Sequence, residues 1–260
     1  MVIKESLIYG QNTTQRIVGG VDIPRGTYVP YQVSLQYRDR SNEFHHYCGG
    51  SVLTAKHILT AAHCCLGLNP KRISVLAGVR DLRDKTGQRV QVVSYDIHED
   101  YQELFTADIA ILRLDSPLQL DGVAVAPISL SGTSKIGGGV RATLTGWGLR
   151  LPVPFPFLPS HLENINYPTT LQTMNYSTVS NRDCENSGIQ LTPAEICAKG
   201  YFLRGACSGD SGGPLVIHTP NGLRQVGIVS YGLIICGVFD VPDVYTRVSA
   251  FQNWITNRIK

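Results

Sequence analysis

Gly209-Asp210-Ser211-Gly212-Gly213-Pro214 is the stretch on which the reading of this chain turns. Glycines on both sides of a serine let the backbone turn sharply and hold the hydroxyl out. They also leave N–H groups free to face a developing oxyanion. A serine displayed in this way becomes a nucleophile when a histidine takes its proton and a carboxylate orients the histidine. Taken alone, Gly209-x-Ser211-x-Gly213 also fits the strand–turn–helix elbow, whose partners follow in the order Ser, acid, His. After Ser211 the one histidine is His218, and it precedes Asp240 and Asp243, so that order is unavailable. The order His, Asp, Ser is available. His63 sits in Thr60-Ala61-Ala62-His63-Cys64, and Asp108 sits in Asp108-Ile109-Ala110-Ile111-Leu112.

The rest of the chain suits a turn-rich, structured protein. Its 260 residues allow one large domain or two small ones with sizeable cores. Charged residues make up 17%, against 26 glycines and 14 prolines. A net charge of +3 from 23 basic and 20 acidic residues gives no reason to propose nucleic acid or a membrane surface as partner. No stretch approaches the roughly 18 apolar residues of a membrane span. The N-terminal MVIKESLIYGQ lacks the apolar core of a secretory signal, because Lys4 and Glu5 interrupt it. The seven cysteines nevertheless point to an oxidising compartment, so a truncated or differently numbered N-terminus is expected.

Short apolar runs recur at Tyr31–Tyr37, Ile73–Leu76, Val90–Val93, Ile109–Leu114, Val226–Ser230 and Val244–Val248. Each is bounded by Gly, Pro, Asn, Asp or charge, the pattern of an all-β sandwich or barrel. Near the C-terminus, Phe251, Trp254, Ile255 and Ile259 share one face of a helix packed on the body. Weaker helical turns are expected near Ala61–Cys64 and Asn181–Asn186. Ser116–Gly139 reads as a connection between two β units. Leu151–Ser160, with four prolines and no charge, reads as a stiff extended loop.

The segments around His63, Asp108 and Ser211 resemble the trypsin/chymotrypsin family of serine proteases. So do Ile17-Val18-Gly19-Gly20, Gly146-Trp147-Gly148 and Pro242–Val248. The likeness runs from Ile17 to Lys260. It implies an all-β fold: two six-stranded antiparallel β-barrels with a C-terminal helix and the active site in the cleft between them. The expected division is a propeptide over 1–16, an N-terminal barrel over 17–131 and a C-terminal barrel with the helix over 132–260. In such a protein His63 is the general base, Asp108 orients it and Ser211 attacks the scissile carbonyl. The N–H groups of Gly209 and Ser211 form the oxyanion hole.

The resemblance further implies a zymogen cleaved after Arg16 by a trypsin-like protease. The new amine of Ile17 would then pair with Asp210, since a buried charge needs a partner. It also implies the disulfides Cys48–Cys64, Cys184–Cys197 and Cys207–Cys236. Cys65 is left over; as adjacent residues, Cys64 and Cys65 lack zinc-ligand spacing, and Cys65 reads as a buried thiol or an alternative bridge. No cofactor or metal is implied. Val79 and Pro242 replace the residues that calcium-binding and sodium-regulated relatives carry. A secreted monomer acting on proteins or peptides is expected, with protein protease inhibitors as further partners.

The specificity pocket departs from the tryptic pattern. Its base position is Gly205 where trypsin-like enzymes have Asp, and Ala206 follows. Ser230, Tyr231 and Gly232 form the wall, with Gly232 leaving room for a large side chain. Asp243 stands where the family commonly has Gly. A carboxylate there must find a cation or donors, or take up a proton. Gly205 with Asp243 is similar to insect chymotrypsins and to broad-specificity collagenolytic enzymes of crustaceans. Large apolar or aromatic P1 residues are therefore expected, with Lys or Arg as an alternative through Asp243. Phe105 is expected to narrow the P2 site. Leu151–Ser160 either rims the primed side or is a surface insertion. Asn12 and Asn175 head glycosylation sequons. The alternative of another class is a non-catalytic homologue that binds without cutting. Within the enzymes, a digestive role competes with a cascade role.

Overall fold

The structure is a computed structural model describing residues 20–102, 106–132, 136–149, 168–200, 205–232, 236 and 241–260. In chain order the first strands are β1 (Val21–Asp22), β2 (Gln32–Arg38), β3 (Phe44–Thr54), β4 (His57–Thr60), β5 (Ile73–Ala77), β6 (Gln88–Ile97) and β7 (Ala110–Leu114). Strands β2 to β7 close into a barrel in the order β2-β3-β4-β7-β6-β5. There follow β8 (Ser129–Leu130), β9 (Arg141–Gly146), β10 (Gln172–Val179), helix α1 (Asn181–Asn186), β11 (Glu195–Lys199), β12 (Pro214–Thr219), β13 (Gly222–Tyr231), β14 (Asp243–Arg247) and helix α2 (Gln252–Arg258). Six of these strands run β9-β10-β11-β14-β13-β12 and return to β9, which closes a second barrel. The short β1 adds to β10, and β8 adds to β13 in parallel.

Closure explains the sequence pattern. A barrel strand keeps one face inside and has no free edge, so its inner face is apolar. In β2, Val33 and Leu35 are fully buried. The alternate residues Gln32, Ser34 and Gln36 are buried as well. Ser34 is paired with His46, Gln36 with Ser34 and Arg89, and Gln32 with a residue of the second barrel. Thr145 Oγ1 donates to Gln32 Oε1 at 2.7 Å, and Ser51 Oγ donates to Gln225 Oε1 at 2.6 Å. These are polar ties between the barrels, each satisfied and thus inexpensive to bury.

The C-terminal helix returns to the first barrel. Phe251, Trp254 and Ile255 join the same buried cluster as Ile58, Ile111 and Leu112, and Ile259 packs on its edge. Glu99 Oε2 receives Trp254 Nε1 at 2.9 Å and Arg258 Nη2 at 3.0 Å. The helix thus straps one barrel to the other. None of the helices among the described residues is long and apolar enough to cross a membrane. The connection read over Ser116–Gly139 carries a short strand of its own, β8. Its parallel pairing with Arg224–Gln225 gave no alternating signal because it spans two residues. The Pro-rich Leu151–Ser160 lies outside the described residues.

Candidate active site

His63 lies on a single 3₁₀ turn, Ala62–Cys64, directly after β4. Ala62 and Cys64 are buried while His63 is exposed, so the turn is anchored on both sides of an imidazole that faces solvent. The Cys48–Cys64 disulfide ties this turn to β3. Asp108 lies just before β7 and is 5% exposed. Ala107 ahead of it has φ 52°, and Ile109 N donates to Ala107 O at 2.8 Å. A left-handed alanine is strained, by about 1 kcal/mol or more, and such strain collects where a side chain must be aimed.

The aim is at His63. Asp108 Oδ1 accepts from His63 N at 3.0 Å, and Oδ2 pairs with Nδ1 at 2.7 Å. An ionised carboxylate has no proton to donate, so Nδ1 carries the hydrogen and Nε2 keeps its lone pair. The second barrel holds the other side of Asp108. Ser230 Oγ donates to Oδ2 at 2.6 Å, and Thr246 Oγ1 donates to the Asp108 carbonyl at 2.7 Å. Burial pushes the Asp108 carboxyl up, but hydrogen bonds from His63 and Ser230 and the charge of His63 outweigh it, so its pKa falls below the ordinary value. Ser230, read from sequence as pocket wall, thus also supports this carboxylate.

Ser211 lies immediately before β12 in the second barrel. Its carbonyl accepts from Gly49 N of β3 at 2.7 Å, a bond across the interface. Asp210 N reaches Cys207 O at 2.9 Å, Gly213 N reaches Asp210 O at 2.9 Å, and Gly212 N reaches Val229 O at 2.8 Å. Among the described residues, neither Gly209 N nor Ser211 N donates a hydrogen bond. Gly212 has φ +76° and a Cβ there would run into Thr60 Oγ1 and Gly49 O, so the turn tolerates no side chain. Gly209 O is held by His46 Nε2 at 2.9 Å, while His46 Nδ1 lies 2.8 Å from Ser34 Oγ. Burial pushes the His46 pKa down to about 4, so at neutral pH this support is an uncharged imidazole. His46 carries no motif of its own and sequence reading missed it.

Asp210 points into the body. Oδ1 accepts from Gly148 N at 2.8 Å and Oδ2 from Cys207 N at 3.0 Å. A Cβ on Gly146 or Gly148 would strike this carboxyl, which explains the Gly146-Trp147-Gly148 segment. Burial raises the Asp210 pKa to about 7 against the lowering by those two amides, and the charge of Asp243 adds to the rise. Arg16, Ile17 and Phe105 lie outside the described residues.

Of the residues read as the pocket, Ser230 and Tyr231 end β13, Gly232 follows it, and Asp243 opens β14. Gly205 and Ala206 precede Cys207, which is bonded to Cys236. Tyr231 OH donates to Glu195 Oε1 at 3.0 Å, so its ring is pinned to β11. Asp243 is 8% exposed. Its Oδ2 accepts from Tyr176 OH at 2.8 Å and Ala206 N at 3.0 Å. Cys184 and Cys197 form the third disulfide. Cys65 is a buried free thiol whose pKa burial pushes up. The ligand atoms of Cys48, His63 and Cys64 lie within 4.8 Å of one another, but the disulfide removes both thiolates and with them the metal-binding chemistry.

Two closed β-barrels that bring a serine turn, a histidine and a buried carboxylate to their interface define a class, the serine endopeptidases. The Trypsin family model matches residues 17–255, and the chain belongs to that family. It is similar to chymotrypsin-C of Bos taurus, 36% identical over 259 residues, covering 97% of this chain and 92% of the relative. It is 37% identical over 240 residues to chymotrypsin-2 of Vespa crabro, covering 92% and 98%. Brachyurin of Leptuca pugilator is 34% identical over 242 residues, covering 92% and 96%. The protein is a chymotrypsin-like serine endopeptidase acting on protein substrates.

Proposed function

We propose that this endopeptidase is secreted as an inactive precursor, is switched on by cleavage after Arg16, and cuts after large apolar or aromatic residues. In this reading Ser211 attacks the scissile carbonyl as His63 Nε2 removes its proton. The carbon becomes tetrahedral, and its oxyanion accepts hydrogen bonds from Gly209 N and Ser211 N, each worth about 3 kcal/mol. His63 then gives the proton to the leaving amine and an acyl-enzyme remains, which water hydrolyses by the same steps. Asp108 keeps the imidazole in the required tautomer and offsets its charge while it is protonated. The observation that carries the reading is the 2.7 Å pairing of His63 Nδ1 with Asp108 Oδ2, which leaves Nε2 to act as base.

Activation follows from the same chemistry. The Asp210 carboxyl is buried and held by amides alone among the described residues. The cationic amine of a freed Ile17 is the partner that would ionise it and fix the Ser211 turn. The three disulfides fit an extracellular protein.

The preference for large P1 residues rests on Gly205 at the base and Gly232 in the wall, neither of which fills space. A second reading, acceptance of Lys or Arg as well, is favoured by the Asp243 carboxyl facing Gly232. Cleavage after Arg16 by trypsin, followed by profiling of a peptide library, tests both. Cuts after Phe, Tyr and Leu are expected. Cuts confined to positions after Ala or Gly would overturn the pocket reading.

A further inference from the structure

Tyr176 projects from β10 into the core of the second barrel, among Leu144, Ile196, Leu215 and Tyr245, and is 2% exposed. A buried phenol needs an acceptor, and here it is Asp243 Oδ2 at 2.8 Å. The same oxygen takes Ala206 N, beside the pocket base, at 3.0 Å. The other oxygen, Oδ1, points the opposite way: a Cβ on Gly232, in the pocket wall, would stand 2.8 Å from it. The carboxyl is thus oriented edge-on, with one oxygen tied to the barrel and the other turned to the pocket side.

We infer that Tyr176 is a specificity-positioning residue. Its hydroxyl locks Asp243 Oδ2 against the Ala206 amide, so that Oδ1 is presented to the P1 side chain and the pocket admits a cationic as well as an apolar P1 residue. This role rests on the pocket reading proposed for Gly205, Gly232 and Asp243. The sequence marks Tyr176 as the middle residue of the Asn175 sequon and gives no sign of a pocket role, since the residue lies far from the pocket segments in the chain.

The charge on Asp243 is set by the groups packed around it. Burial raises its pKa to about 6, and the Ala206 amide and Tyr176 hydroxyl hold it down from rising further. Among the described residues the titratable groups facing it are Tyr176, Tyr245 and the Asp210 carboxyl, all buried. The Tyr245 ring lies edge-on to that of Tyr176, with centroids 6.3 Å apart. Glu195, on the neighbouring β11, is engaged by Thr192 and Tyr231. Above about pH 6 the carboxylate attracts a P1 cation; below it, the neutral acid does not. Losing the Tyr176 donor moves the change to higher pH.

The test compares wild type, Tyr176→Phe and Asp243→Asn after cleavage following Arg16, with active sites counted by a serine-directed phosphonate. The ratio of kcat/KM for matched P1-Arg and P1-Phe peptides is followed from about pH 5 to 8. In wild type the ratio should rise with a midpoint near about 6. In Tyr176→Phe the midpoint should move up by about one unit, so the ratio should fall by about twofold at neutral pH and by close to tenfold at about pH 5, carried by KM of the arginyl peptide. In Asp243→Asn the ratio should be low and flat. A Tyr176→Phe profile superimposable on wild type, with Asp243→Asn altered, overturns the role of Tyr176 alone. An Asp243→Asn profile equal to wild type overturns both this role and the cation-accepting pocket. If Tyr176→Phe does not accumulate, NMR of intact Ser211→Ala protein decides: a slowly exchanging Tyr176 hydroxyl proton supports the role, and a freely exchanging one overturns it.

Discussion

Ser230 donates its hydroxyl to Asp108 Oδ2 at 2.6 Å, across the boundary between the two barrels. The oxygen that receives it is the one paired with His63 Nδ1. Histidine orientation in the first barrel therefore depends on a side chain of the second. Ser230→Ala should raise the Asp108 pKa and loosen the ring, lowering kcat about tenfold, since a hydrogen bond to a charged group is worth about 1.5–3 kcal/mol. Peptide hydrolysis as a function of pH checks this: the acid limb should shift to higher pH. An unchanged limb would make the contact merely structural.

Asp108→Asn should be far more severe. An amide offers an N–H where Nδ1 needs an acceptor, so the ring takes the wrong tautomer. The expected loss in kcat is about 10⁴-fold, the size of effect that this substitution has in the trypsin-type triad. Folding should persist, because Thr246 bonds to the Asp108 backbone carbonyl. Retained ellipticity with activity within about tenfold of wild type would contradict the assigned role.

Asp210 makes stability depend on pH. Its folded pKa, about 7, lies above the unfolded value of about 3.9. The folded state therefore binds the proton more tightly. The resulting stability is fully present below the unfolded pKa and is lost as pH rises through about 7. Uncleaved Ser211→Ala protein should melt at a higher temperature at about pH 5 than at about pH 7.5. Asp210→Asn should flatten that difference, which calorimetry would detect. After cleavage, pairing with the Ile17 amine should reverse the sign by pulling the carboxyl pKa down.

Gly232→Ala should narrow the pocket. The added Cβ would stand 2.8 Å from Asp243 Oδ1, too close for either to stay in place. Efficiency on a P1-Phe peptide should fall by about ten- to a hundredfold while a P1-Ala peptide is spared. Equal losses on both peptides would point away from the pocket.

The buried Cys65 thiol should ignore iodoacetamide in native protein and take up one equivalent on unfolding without reduction. Rapid native labelling would show a different cysteine pairing.

The motif-bearing turns are readable from the chain because glycine and proline requirements are local. Gly212 at φ +76° and the apolar 3.6-residue spacing of Phe251, Trp254 and Ile255 announce themselves in a few residues. The first-barrel strands show through Val33, Leu35 and Ile111. Strand β10 does not, because its buried positions include Gln172, Tyr176 and Thr178, polar groups made tolerable by partners elsewhere in the chain. The same cause hides His46, Tyr176 and the Ser230–Asp108 bond. A buried polar residue is explained by a contact with a segment distant in the chain, within a barrel for Tyr176 and between barrels for His46 and Ser230, and no spacing along the chain encodes that contact. Asp243 stands out in the sequence as a carboxylate in need of donors, but the donors themselves are visible only in three dimensions.

The central claim is that Ser211 is the nucleophile of a protease made latent by the residues before Ile17. The most direct test is labelling of Ser211 by a serine-directed phosphonate, read by peptide mass mapping, before and after cleavage following Arg16. The account predicts slow labelling of the intact chain, and fast stoichiometric labelling at Ser211 after cleavage that is lost in His63→Ala. Equal labelling before and after cleavage would contradict latency, and no labelling of the cleaved chain would contradict the nucleophile.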